Sequence, residues 1–195
     1  MSNTDFSSLD SEELLQLAVL DSGAGRHDAA IVKLKQAIVS DPGNARAHYM
    51  LGAEHAEIGL LDRAIAEMTH AVDLDPGLET AHFQLGLLHY TQGNLELATQ
   101  RWLPLDGLGE QHALYLFKDG LVKLGHSELK AAEQQLSQAS QASQGLTAPL
   151  RVDIDKVLGN VRKHMAEQAV VATDENPDSA SYGSNLARRY GELDS

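Results

Sequence analysis

Nine histidines are the residues in this chain best suited to chemistry. Two of them, His48 and His55, fall on one predicted helix. Imidazole ligates metals through a neutral ring nitrogen and titrates near neutral pH. Spacing decides against a shared ion: seven positions span two helical turns, about 10.5 Å, whereas zinc ligands sit about 2.0–2.1 Å from the metal. No two histidines lie four apart. His48 and His55 recur as His82 and His89, 34 positions later, which marks all four as repeat-packing positions with pH sensitivity open to them. Asp73-Leu74-Asp75-Pro76-Gly77 has the acid spacing that begins a calcium loop. The closing bidentate acid would fall on Gln84, however, and Pro76 is out of pattern, so the stretch reads as a helix terminus.

Nucleophilic chemistry fares no better. Cysteine is absent, which removes thiol catalysis, disulfides and Cys-based zinc sites together. No Gly-x-Ser-x-Gly elbow, phosphate loop or dinucleotide fingerprint occurs, and Gly107-Leu108-Gly109 is an isolated Gly-x-Gly in a connector. The expectation is a non-enzyme with no catalytic residues, no metal and no cofactor. A formal charge of −13 over 195 residues, with Arg188-Arg189 the nearest thing to a basic cluster, excludes phosphate-backbone binding. The first residues, Met1-Ser2-Asn3-Thr4-Asp5, lack the parts of a signal peptide, and runs such as Leu85-Gly86-Leu87-Leu88 are too short to span a bilayer. These features predict a cytoplasmic protein without nucleic-acid partners or membrane insertion.

The elements that would position a site follow from internal repetition. Asp41-Pro42-Gly43 returns as Asp75-Pro76-Gly77. The same step of 34 links Leu17, Leu51 and Leu85; Ala18, Gly52 and Gly86; Gly25, Gly59 and Gly93; Ala30, Ala64 and Ala98; and Ala37 with Ala71. Each unit reads as two helices. Ala45 to Ile58 places Leu51, Gly52 and His55 on one face, and Gly59 ends that helix. Asp62 opens the next, whose apolar stripe is Ile65, Met68, Ala71 and Val72, and Asp75-Pro76 stops it. Gly52 and Ala64 are small because two backbones cross there, and a large side chain would overpack the crossing by about 1–3 kcal/mol.

Leu51-Gly52, Gly59, Ala64, Ala71 and Pro76 resemble the tetratricopeptide repeat, as do Leu85-Gly86, Gly93 and Ala98. A plainer first unit, about 11–44, keeps Gly25, Ala30, Ala37 and Pro42 in register. The family's aromatic at the start of each unit is replaced by Leu14, His48 and His82. The resemblance implies an all-α fold: a right-handed α-solenoid of helix-turn-helix pairs, three clear and one degenerate, closed by a C-terminal capping helix. Pro104 predicts that the sixth helix stops near Leu103. The degenerate pair runs from Gln111 to Leu124 and from Ser127 to about Ser143, turning at Gly125. The cap runs from Thr147 to about Gln168 on Leu150, Ile154, Val157, Leu158, Val161 and Met165. The expected domain plan is a flexible N-terminus at 1–10, the repeat domain at 11–168 and a flexible acidic tail at 169–195, the last from Asp174-Glu175-Asn176-Pro177-Asp178-Ser179.

The resemblance also implies a binding groove lined by the first helix of each pair. Its exposed positions would be Glu12, Leu15 and Val19; Arg46, Tyr49 and Ala53; Thr80, Phe83, Leu87 and Tyr90; then His112, Tyr115 and Asp119. Leu15, Val19, Tyr49, Ala53, Phe83 and Leu87 stand where one family subset carries a Lys/Asn/Arg carboxylate clamp, so that clamp is missing. An apolar and aromatic strip of Leu15, Val19, Tyr49, Ala53, Phe83, Leu87, Tyr90 and Tyr115 would replace it, suited to an extended peptide or an amphipathic helix. The layout resembles acidic bacterial secretion chaperones. The implied function is a protein-binding adaptor or chaperone scaffold. The alternatives are an assembly subunit of a secretion or pilus-type complex, docking through its convex face or Trp102-Pro104, and a regulatory subunit of a partner enzyme. A homodimer that fills the strip stays open.

Overall fold

The computed structural model describes residues 9–173, and no strand occurs among them. Most of the expected N-terminal segment and the acidic tail after Thr173 lie outside the described residues. The chain divides into two compact units between Leu88 and His89. The first holds α1 (Ser11–Gly23), α2 (His27–Ser40), α3 (Ala45–Glu57), α4 (Leu61–Leu74) and most of α5 (Glu79–Thr91). The second holds the end of α5, then α6 (Leu95–Trp102), α7 (Ala113–Gly125), α8 (Leu129–Ala142) and α9 (Ala148–Thr173).

Local chemistry sets each helix start. Asp10 forms a capping box on α1, accepting from the Glu13 amide at 2.8 Å while the Glu13 carboxylate accepts from the Asp10 amide at 3.0 Å. This satisfies two of the amides that a helix start leaves open. Asn44 caps α3 through the Ala47 amide at 3.0 Å, and the His112 ring accepts from the Leu114 amide at 3.3 Å to cap α7. Asp10, Asn44 and His112 fall on one step of 34 with Leu78 between them. Asp41 and Asp75 accept from Gly43 and Gly77 at 3.0 and 2.9 Å, turning the chain after α2 and α4.

The turns inside the pairs repeat still more closely. Gly25, Gly59 and Gly93 have φ of +70°, +76° and +81°, and Ser127 follows at 63°. At each, the next amide reaches back to the helix: Arg26 to Asp21 at 2.9 Å, Leu60 to His55 at 2.8 Å, Asn94 to His89 at 2.9 Å and Glu128 to Lys123 at 2.9 Å. This six-residue closure with a left-handed residue is how a helix spends its last carbonyls. The expected turn at Gly125 is therefore corrected. Gly125 is the last residue of α7, and Ser127 takes the left-handed place.

The fourth pair is thus in full register. Ala30, Ala64, Ala98 and Ala132 are completely buried, as are Ala37, Ala71, Leu105 and Ala139. Leu34, Met68, Trp102 and Leu136 form a third row, each at 1% exposure or less. Small residues let the two helices of a pair approach, and the third row fills the space between them. Gly52 shows how close the approach is: a Cβ there would lie 2.7 Å from Met68 Cγ and 3.1 Å from the Ala64 carbonyl oxygen.

After Trp102 the chain tightens into a 3₁₀ turn over Leu103–Leu108, with Pro104 in its first positions, where a proline costs no hydrogen bond. The last helix, expected to end near Gln168, continues to Thr173. It buries Leu150, Ile154, Val157, Leu158 and Val161 and packs on α8, to which Arg162 is tied by Glu133 at 2.7 Å. Met165 is half-buried.

Candidate functional site

In the first unit the first helices of successive pairs, α1, α3 and α5, present two rows at the repeat spacing. One row is Leu15, Tyr49 and Phe83, and the other is Val19, Ala53 and Leu87. The first row is not the exposed strip expected from the sequence. Leu15 is 1% exposed and Phe83 is fully buried. Leu15 packs in a cluster with Leu14, Ala18, Ala47 and Leu51, filling the seam between α1 and α3. Tyr49 is half-buried against the core cluster formed by α4 and α5 residues, Met68 and Leu85 among them. Burial raises its hydroxyl pKa, against a smaller opposing effect of the Thr80 hydrogen bond.

The second row is the accessible one. Val19 is 47% exposed, Ala53 and Leu87 are partly exposed, and Leu20 beside Val19 is open at 67%. Ala53 leans on the same cluster as Tyr49, so the row has a buried floor. Arg46 and Glu12 flank it as an exposed ion pair at 3.5 Å, a contact worth about 0–1 kcal/mol.

The expected aromatics of the second unit fare differently from one another. Tyr90 is 5% exposed, its ring 6.0 Å from the Trp102 ring, so it is a core residue and not a surface anchor. Trp102 is fully buried, which also removes it as a docking residue. Tyr115 is partly exposed and carries Lys118 Nζ 4.7 Å above its ring. Lys118 also pairs with Asp106, so this tyrosine is held by its own unit.

The histidines are buried, as expected for packing positions: His48, His55, His82 and His89 range from 4% to 9% exposure. What spacing did not reveal is their company. Glu67 on α4 accepts from His48 Nδ1 at 2.7 Å, and the His48 ring meets His70 edge-on with centroids 4.4 Å apart. His27 on α2 reaches the buried Glu54 of α3 at 2.8 Å. Burial holds the His55 pKa below its ordinary value, with Lys35 and Arg63 adding to this and Glu67 and Glu54 opposing it. In the first pair, hydrogen bonds from Lys33 and Arg26 lower the pKa of Asp21. Among the described residues, no group of three or more His, Cys, Asp or Glu side chains is placed to hold a metal ion. No described helix is long and apolar enough to cross a membrane.

Helix pairs of this length, with left-handed turn residues and alanine rows on one period, are what a family model for the tetratricopeptide repeat matches over residues 15–79. The described helices have the fold of tetratricopeptide-repeat proteins. Among solved structures it is similar to a thermophilic tetratricopeptide-repeat protein of Thermus thermophilus, with TM-score 0.67, 23% identity and coverage of 93% of this chain and 97% of that one. MamA 41-end from Desulfovibrio magneticus RS-1 matches at TM-score 0.59 and 15% identity, over 95% and 97% of the two chains. A chain of the Cut9–Hcn1 hetero-tetramer of the APC/C matches at TM-score 0.71 and 19% identity, over 92% of this chain but 34% of that one. At these identities the likeness is one of fold. No curated protein matches.

Proposed function

We propose that this tetratricopeptide-repeat chain is a protein-binding module, an adaptor or chaperone, that holds a partner segment against the first-helix face of its first unit. The observation that carries the reading is the row of Val19, Ala53 and Leu87, one residue per repeat, accessible above a buried floor. Equal spacing along three helices suits a ligand that presents apolar side chains at intervals, as an extended strand or an amphipathic helix does. Leu15 and Phe83, one turn earlier on the same helices, are buried. Leu20 widens it.

A second reading, an assembly subunit, draws on a different patch. Val32 and Val39 of α2 are 52% and 82% exposed, and Leu103 is 57% exposed. A photo-crosslinking residue placed at position 19, at 87 and, in a third variant, at 39 separates the two in the native host. The binding-face reading expects one or two protein adducts at 19 and 87 and none at 39. Adducts confined to 39 would replace it with the assembly reading.

A further inference from the structure

Stacked helix pairs bury one stripe on the first helix of each pair, and the repeat register locates it. On α3 the stripe is Ala47, Leu51 and Glu54, and on α5 it is Ala81, Leu85 and Leu88, all buried. The preceding second helix covers each. α2 packs Ala30, Leu34 and Ala37 in one cluster with Ala47 and Leu51, and reaches Glu54 from His27. α4 packs Ala64, Met68 and Ala71 with Ala81, Leu85 and Leu88. One step of 34 earlier, the same stripe of α1 is Glu13, Leu17 and Leu20. Among the described residues no helix precedes α1. Glu13 is accordingly exposed, Leu17 is half-buried and Leu20 is open at 67%.

The last pair differs. There α9 packs on α8 and buries Leu150, Ile154, Leu158 and Val161, so the surface that a following pair would use is filled. Copies of the chain therefore cannot add head to tail, α1 of one on α8 of the next. The arrangement left to them is face to face, with two α1 stripes related by a two-fold axis. The stripe is self-complementary in that arrangement. With the helices antiparallel and the axis between Leu17 and Leu20, each Leu17 rests on Leu20 of the other copy. Glu13 then lies at the other copy's first turn, where Arg26 is tied to Asp21 but keeps a side chain 59% exposed. An acid at position 13, where α3 and α5 have alanine, bars a close helix unless a cation meets it. The two-fold axis supplies that cation twice.

We propose that this chain pairs with a second copy of itself through the Glu13, Leu17 and Leu20 face of α1, antiparallel about a two-fold axis. One face of a 13-residue helix is small beside the roughly 800 Å² per partner of a standard interface, so the pairing is of micromolar strength. It does not depend on the binding-module reading. Successive residues turn about 100° around a helix, so Val19 faces away from the pairing stripe and Leu20 borders both surfaces.

The test is sedimentation velocity of the full chain in about 0.15 M sodium chloride, where charges beyond about 8 Å are largely screened and the −13 of each copy no longer holds the two apart. Over concentrations from about 1 μM to 1 mM the chain should pass from monomer to dimer. Leu20→Asp should weaken dimerisation about a hundredfold, because a two-fold interface counts each substitution twice and each is worth about tenfold. Val39→Asp, on the open side of α2, should dimerise like wild type. Glu13→Arg and Arg26→Glu should each weaken self-association, with wild-type helicity by circular dichroism. An equimolar mixture of those two variants should restore it, because only the mixed dimer brings opposite charges together at both contacts. A chain that stays monomeric throughout, as it would if residues 1–8 filled the stripe, overturns the pairing. A dimer that survives Leu20→Asp, or that Val39→Asp removes, overturns the surface. A mixture no stronger than its components overturns the antiparallel arrangement.

Discussion

Replacing Gly52 with alanine tests how closely the helices of a pair approach. Alanine improves the intrinsic helix propensity of α3 by about 1 kcal/mol, so a site with room would gain stability. Gly52 has none. Its new Cβ would lie 2.7 Å from Met68 Cγ, 3.1 Å from Ala64 O and 3.3 Å from Met68 N, against an ordinary carbon–carbon separation of about 3.5–4.0 Å. Two of those three atoms are backbone, and Met68 is 1% exposed, so relief requires moving α4. Overpacking costs about 1–3 kcal/mol, which leaves a net loss of up to about 2 kcal/mol. Gly120 is the internal comparison. Its Cβ meets Leu136 Cγ at 2.8 Å and Cδ2 at 2.9 Å, but the nearest backbone atom is at 3.4 Å. A side chain rotates where a backbone cannot, so Gly120→Ala should lie within about 1 kcal/mol of wild type. Urea unfolding followed by far-ultraviolet circular dichroism gives both values. If Gly52→Ala is more stable than wild type, or if Gly120→Ala is the more damaging of the two, the packing argument is wrong.

Ser127 is the one described non-glycine residue with positive φ. Ser127→Gly should therefore raise stability by about 0.5–1 kcal/mol, the left-handed penalty less the entropy glycine adds to the unfolded chain. That change should appear as a shift in urea midpoint. His55 carries a pKa held below its ordinary 6.5 by burial, so the unfolded state binds the proton more readily than the folded one. Its contribution is complete above pH 6.5 and is lost as the pH falls below that value towards the folded midpoint. His55→Leu should flatten the fall in urea midpoint over that window. Phe83→Ala should cost about 3–5 kcal/mol in the same assay, because Phe83 is a fully buried core residue. A near-neutral result there would mean the ring is accessible after all.

The helix pairs of the first three repeats were legible because glycine and alanine recur at positions where only small or left-handed residues fit. The turn of the fourth pair was misplaced by two residues for a physical reason. Pro104 and the tight turn after it look like an interruption, yet Leu103–Leu108 occupies the length that keeps Gly120, Ala132 and Ala139 on the step of 34. Ser127 hid the turn because a serine there carries no left-handed signal in sequence. The exposure of the first-helix rows was half legible. Repeat spacing placed Leu15, Val19, Phe83 and Leu87 in one exposed strip, but spacing gives direction around a helix and not depth. Depth depends on how far α1 and α3 close over the seam, and that closed over Leu15 while leaving Val19 open. The pairing of His48 with Glu67 and of His27 with Glu54 joins different helices, which no single-helix spacing encodes.

The measurement that bears most directly on the binding face is titration calorimetry of the crosslinked partner segment against three variants. Val19→Asp and Leu87→Asp each place a charge where the ligand's apolar side should rest. Losing one buried aliphatic contact of about 1.5–3 kcal/mol predicts a weakening of about tenfold or more. Val39→Asp, on the 82%-exposed side of α2, should bind like wild type. Wild-type affinity in the first two variants, with binding lost in Val39→Asp, would contradict the account and move the interaction to the α2 surface.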